Sequence, residues 1–185
     1  MAKNGGVHIA VDALGAKHSG TAMVLLDVLR SMLANKSVEK ITLYCAPRAE
    51  RSFDLPESSK LEDRPQPRYE ASLPLRIFWN THHLAARAKQ DGADLVVSMG
   101  GTMQPHREMP HVSFVQQSLP FCPEALATLP LRQQLRMHGI GALTRTSCRG
   151  SRRVYVQTAT MRAWVSDAFG INISHCETVL PEPRP

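Results

Sequence analysis

The chain opens on the pattern that most limits its fold. Residues 7–14 (VHIAVDAL) form a short, partly β-branched apolar run, residues 15–20 (GAKHSG) a glycine loop, and apolar residues then fall at Ala22, Leu25, Leu26, Leu29, Met32 and Leu33. The run reads as a buried strand ending near Asp12, and the 3-and-4 spacing as one face of a helix with Thr21 or Ser19 as its cap. The alternation continues. Residues 39–46 (EKITLYCA) read as a strand, 47–69 as a proline-bearing surface excursion with one short strand, and 75–90 as a helix with Ile77, Thr81, Leu84 and Ala88 on one face. Residues 94–98 and 111–116 read as strands, 123–148 as a helical region in two pieces weakened by Gly139 and Gly141, and 153–157 as a strand. A helix over 158–169, with Met161, Trp164, Val165 and Ala168 inward, precedes a last short strand over 177–180. Strands alternating with helices predict an α/β fold, a Rossmann-like open, mostly parallel sheet with helices on both faces.

At 185 residues the chain holds one domain of ordinary size. No apolar run approaches the ~18 residues of a membrane span, and the first residues lack the apolar core of a signal peptide. Cys45, Cys122, Cys148 and Cys176 are spaced by 77, 26 and 28 residues, which matches neither a zinc site nor a disulfide framework. The expectation is a reduced cytoplasmic protein with no metal. The net charge of +6 is local: residues 125–166 contain seven Arg and no Asp or Glu, leaving fifteen basic against sixteen acidic residues elsewhere. With only Tyr155 and Trp164 as aromatics, that stretch offers no base-stacking platform, so no nucleic acid is expected. It reads either as a solvated basic face or as an anionic-membrane face, with Leu131, Leu135, Ile140 and Leu143 inserting and Arg132, Arg136 and Arg145 meeting phosphates.

In open parallel sheets, ligands bind beyond the carboxyl ends of the strands. Residues 15–21, 98–102 and 116–120 hold that position. Gly15 and Gly20 serve either as a tight turn or as a loop that lets backbone N–H groups approach a phosphate. Neither GxGxxG nor GxxxxGK[ST] is present, because Thr21 and Ala22 follow Gly20. Asp12, at a strand end, is either a turn partner or a site residue. His82 and His83, adjacent on a helix, do not face one point; His106 and His111 flank Pro110, and no GxSxG elbow occurs.

The ordered set VHIAVDAL, a glycine loop and long helix, ADLVVSMGG, PHVSFVQQSLPF, RRVYVQTATMRAWVSDAFGI and ETVLPEP resembles the N-terminal half of family 4 glycosyltransferases of the GT-B fold, across nearly the whole chain. The resemblance implies a retaining transfer of a sugar from a nucleotide-sugar donor to a hydroxyl of a glycan or glycolipid acceptor, with residues 1–180 as the acceptor-side domain and 181–185 leading toward a second domain. It implies that Gly15, Ala16 and Gly20 approach the donor phosphates or the acceptor, and that Gly100, Gly101, Thr102, Gln116 and Gln117 line the cleft. No catalytic residue follows from it, and no cofactor is held permanently; the nucleotide sugar is a substrate. Many relatives carry a His where this chain has Gln116, Gln117 and Ser118, and the pair of spaced glutamates belongs to the other half. The expectation is therefore a chain inactive alone, completed by a second domain or chain, and peripheral on the inner membrane face. The other reading is a non-catalytic Rossmann-like module that binds a phosphorylated ligand, a partner chain or an anionic membrane.

Overall fold

The computed structural model describes residues 5–169 and 176–178. Seven strands form one sheet in the order β3-β2-β1-β4-β5-β6-β7, with every neighbouring pair parallel. They are β1 (Val7–Asp12), β2 (Val38–Cys45), β3 (Leu61–Pro65), β4 (Leu95–Ser98), β5 (His111–Val115), β6 (Arg153–Val156) and β7 (Cys176–Thr178). The helices are α1 (Ser19–Ala34), α2 (Pro67–Glu70), α3 (Leu73–Phe78), α4 (Leu84–Gln90), α5 (Pro123–Ala127), α6 (Leu131–Gly150) and α7 (Ala159–Phe169). This is a Rossmann-like fold. The chain builds outward from β1 to β3, then returns to β4 on the other side of β1. That reversal puts the sheet's switch point at the carboxyl ends of β1 and β4, where folds of this kind have their crevice.

Strand alternation decides which face each helix covers. Ile9, Val11, Ile41 and Leu43 pack with Leu25 and Leu29 of α1, both fully buried. Ala10, Tyr44 and Val96, on the opposite face, pack with Leu84 and Ala88 of α4. Val115, Val154 and Val156 continue that second face beneath Cys148 of α6 and Met161, Val165 and Phe169 of α7. Val97 and Phe114, on the α1 face, floor a groove of about 620 Å3 that runs between α1 and Tyr155.

Several local expectations change. The helix expected over 75–90 is three pieces, α3, one π-helical turn (Trp79–His83) and α4, and the buried pair at its centre is Trp79 and Asn80. The cap of α1 is neither Thr21 nor Ser19: the helix begins at Ser19, its N-cap is His18 with no side-chain cap bond, and the Thr21 hydroxyl donates back to the His18 carbonyl at 3.1 Å. The helical region over 123–148 does run in two pieces, α5 and α6, and α6 is continuous through Gly139 and Gly141. A Cβ at Gly141 would meet Pro120 at 3.3 Å, so glycine there admits the neighbouring chain. In α7, Ala168 faces solvent and Phe169 takes the inward place. His111 opens β5, as the strand reading of 111–116 expects, and is buried, with Nε2 3.1 Å from the Ser147 carbonyl and 3.0 Å from Ser151 Oγ. The last strand is described only over Cys176–Thr178; residues 179–185 lie outside the described residues.

The base of α6 is tied to the loop after β4 by one close approach. A Cβ on Gly150 would fall 2.2 Å from Pro105 Cγ and 2.5 Å from its Cβ. A proline ring cannot swing away, so Gly150→Val should destabilise the fold by about 1 to 3 kcal/mol, the ordinary range for overpacking. Urea unfolding reads this directly, and an unchanged midpoint would contradict the contact.

Candidate functional site

The crevice begins with one polar row across the sheet. Tyr44, Asp12, Ser98 and Ser113 are successive register partners on β2, β1, β4 and β5, so their side chains share the face opposite α1. One row nearer the amino ends the same face holds Thr42, Ala10, Val96 and His111. Within the polar row Ser113 Oγ lies 2.7 Å from Ser147 Oγ and from Ser151 Oγ, while the Tyr44 hydroxyl donates to Asp91 Oδ2 at 2.6 Å, which leaves Asp12 and Ser98 at the edge. Asp12 is 1% exposed and accepts a hydrogen bond from Trp79 Nε1 at 3.1 Å. Burial raises its carboxyl from 3.8 to about 7, opposed in part by the Trp79 N–H and the Leu14 backbone. Trp79 is held by Tyr44 at 5.4 Å in an edge arrangement and by Tyr69 at 4.9 Å. The carboxyl thus sits against an aromatic wall that water does not reach.

The π-helical turn supplies this wall and one further group. A π turn shifts the angular positions of a helix, and such turns recur at functional sites. Here it places adjacent residues, Trp79 and Asn80, both inward. Asn80 donates from Nδ2 to Thr102 Oγ1 at 2.7 Å, while its Oδ1 is buried without a partner. Ser98 Oγ and Gln116 Nε2 are likewise buried and unpartnered. Native proteins leave few such groups. Three of them at the carboxyl ends of β4 and β5 or on the helix above make this edge short of partners.

The loop after β1 is held from outside. Gly15 has φ of +95°, a conformation that favours glycine, and its N–H donates to Glu70 Oε2 at 2.9 Å. Glu70 closes α2, and its side chain is 1% exposed. Its other oxygen lies 3.3 Å from Lys17 Nζ and 3.6 Å from Arg76 Nη1. Lys17 is shared with Glu50 at 2.5 Å, and that hydrogen bond is the main reason its ammonium stands above its ordinary value. Ala16 is buried beneath α1. Gly20 is exposed, with open space for 4 Å around the place a Cβ would take, so only Gly15 needs to be glycine here.

The loop after β4 carries the second constraint. Gly101 is buried at φ +61°, and a Cβ there would meet the Phe114 carbonyl at 3.2 Å. Gly100 is exposed, and Thr102 is half-buried under Asn80. Gln116 directly follows β5 beside them, whereas Gln117 turns outward and its Nε2 reaches Met137 Sδ of α6 at 3.6 Å. Asp12, Gly15, Gly101, Thr102 and Gln116 are therefore distributed around one edge, and Gly20 and Gln117 lie at its margins. Arg132 and Arg136 are exposed on the first turns of α6. Arg145 faces the other way: its Nη2 donates to the Phe169 carbonyl at 3.3 Å, as Arg149 does at 3.2 Å, so both satisfy the end of α7.

Glu70, Arg76, Trp79 and Asn80 escaped the sequence reading. Glu70 and Arg76 lie in or near the polar excursion, far in sequence from the loop they hold. The signal for the other two was Trp-Asn in mid-helix, where asparagine is a poor helix former. Among the described residues, no group of three His, Cys, Asp or Glu side chains is placed to hold a metal ion, and no helix is long and apolar enough to cross a membrane. Cys45 and Cys122 are free thiols. The chain matches no protein-family model, and no curated protein matches it in sequence.

Proposed function

We propose that this chain is the acceptor-side half of a retaining glycosyltransferase, binding a hydroxyl-bearing glycan or glycolipid at the β1/β4 crevice and acting with a nucleotide-sugar-binding half. The observation that carries this reading is the crevice itself. Its Asp12 carboxyl, two positive-φ glycines and unpartnered Ser98, Asn80 and Gln116 atoms suit a ligand rich in hydroxyls, which both donate and accept. The ordered resemblance of the segments adds the reaction class. In that reading the chain orients the acceptor and excludes water. The glycine loop after β1 meets the donor diphosphate, whose departure is stabilised by fixed dipoles and cations rather than by a metal.

The test is retention of defined glycans on an array. The wild-type protein is expected to retain a set of hydroxyl-rich glycans, and Gly101→Val, which drives a side chain at the Phe114 carbonyl, to lose them while keeping its helix and strand signal. Equal retention by Gly101→Val would sink the reading.

A second reading concerns where the domain works. Leu131 and Leu135 are 71% and 64% exposed, one turn apart, beside Arg132 and Arg136. Apolar side chains at the level of acyl chains with basic ones at the headgroups are the pattern of an interfacial helix, which supports a peripheral position on an anionic membrane surface. Flotation with phosphatidylglycerol vesicles should exceed that with phosphatidylcholine alone. The double change Arg132→Glu and Arg136→Glu should weaken it by at least about tenfold, at ~1 kcal/mol per basic residue near the surface. Indifference to lipid charge would remove this reading and leave the first standing.

A further inference from the structure

Three donors of different kinds converge on the Glu70 carboxylate: the Gly15 N–H at 2.9 Å, Lys17 Nζ at 3.3 Å and Arg76 Nη1 at 3.6 Å. A backbone N–H, an ammonium and a guanidinium around one anion are also the donor set that holds a phosphoryl group. The exposures are unequal in a telling way. Glu70 is 1% exposed, while Lys17 and Arg76 are 26% and 29% exposed, so the anion lies inside and the cations reach solvent. Arg76 also has capacity to spare. Its contact with Glu70 is an ion pair beyond hydrogen-bond length, and its Nε is buried with no partner. The absence of a side chain at Gly15 is what lets the guanidinium lie there, since a Cβ would fall 2.6 Å from Arg76 Nη1.

We propose that Gly15, Lys17 and Arg76 form an anion site for the phosphoryl group of a phosphate ester or diphosphate, and that Glu70 is a built-in anion that fills it when no ligand is present. Binding is then an exchange: a phosphoryl oxygen takes the Gly15 N–H and the two cations as the Glu70 carboxylate leaves them. The wild-type affinity is lowered by the fraction of molecules in which the site is vacated. The inference rests on the reading in which the loop after β1 meets a diphosphate and adds to it Lys17, Arg76 and the Glu70 exchange; its test needs only the phosphate and not the acceptor.

Thermal unfolding of the full chain with inorganic pyrophosphate tests it. Glu70→Ala is expected to unfold at lower temperature than wild type in buffer and to regain stability with pyrophosphate, at least about tenfold more tightly than wild type binds it. Glu70→Gln should lie between them, and adding Arg76→Met to Glu70→Ala should abolish the rescue. A nucleoside diphosphate and a short-chain phosphatidate run in parallel tell a nucleotide from a lipid headgroup as the source, and either supports the site. Pyrophosphate affinity unchanged by both Glu70 variants, or rescue that survives Arg76→Met, would overturn it. Should Glu70→Ala fail to fold, Glu70→Gln and the wild-type chain decide: pyrophosphate must shift the Gly15 amide resonance, and an unmoved resonance refutes the exchange.

Discussion

The stability of the wild-type protein is expected to carry a component that falls as the pH rises from about 4 to about 7, and Asp12→Asn is expected to remove it. The folded protein holds the Asp12 carboxyl at about 7 because burial between Trp79 and the sheet disfavours the charge, whereas the ordinary value is 3.8. Below the ordinary value both states carry the proton and the contribution to stability is complete. Between the two values the unfolded chain gives up the proton that the folded protein keeps, so the contribution shrinks as pH rises and is gone above the folded value. At ~1.36 kcal/mol per pH unit, about three units amount to roughly 4 kcal/mol as an upper bound. His111 works in the opposite direction. Burial holds its ring below 6.5, so its neutral form favours folding and stability is lost as the pH falls through that value. The test is therefore the difference between wild type and Asp12→Asn in urea unfolding at successive pH values, which cancels His111. A constant difference across that range would show that Asp12 is ionised in the folded protein.

Glu70→Ala should cost about 3 kcal/mol of folding stability in buffer of moderate salt. Breaking a buried ion pair by removing one partner leaves the other charge uncompensated and costs ~3 to 5 kcal/mol. The lower end applies because Lys17 and Arg76 are about a quarter exposed and can rehydrate, and because Lys17 keeps Glu50. The Gly15 N–H, by contrast, loses its acceptor outright. A loss below about 1 kcal/mol would mean that the carboxylate is not what organises the β1 loop.

Much of the frame could be read from periodicity, because the frame is made by burial. Residues 7–12, 95–98 and 111–115 are apolar runs since both sheet faces are covered, and Leu25 and Leu29 repeat at helical spacing since one stripe of α1 is buried. What escaped was made by long-range contacts. Glu70 meets Gly15 across 55 positions, Trp79 meets Asp12 across 67, and nothing local records either meeting. The π turn escaped for another reason: a uniform 3.6-residue period assigns Ile77 and Thr81 to the inner face, and the wider turn gives those places to Trp79 and Asn80. In α6 glycine marks a close approach rather than a break, since a Cβ at Gly141 would meet Pro120 at 3.3 Å. The charged stretch was legible as a basic region but not as two parts. Of its seven arginines, Arg145 and Arg149 serve the Phe169 carbonyl, whereas Arg132 and Arg136 lie with the exposed leucines.

The central claim, that the crevice between β1 and β4 receives a hydroxyl-rich acceptor, is tested most directly by amide chemical-shift mapping during titration with a glycan retained on the array. The account predicts that the largest shifts fall on Gly100, Gly101, Thr102 and Gln116 and on residues 12–16, with α7 and the amino ends of the strands unmoved. Shifts confined to other surfaces, or saturation with the residues after β1 and β4 unchanged, would contradict it.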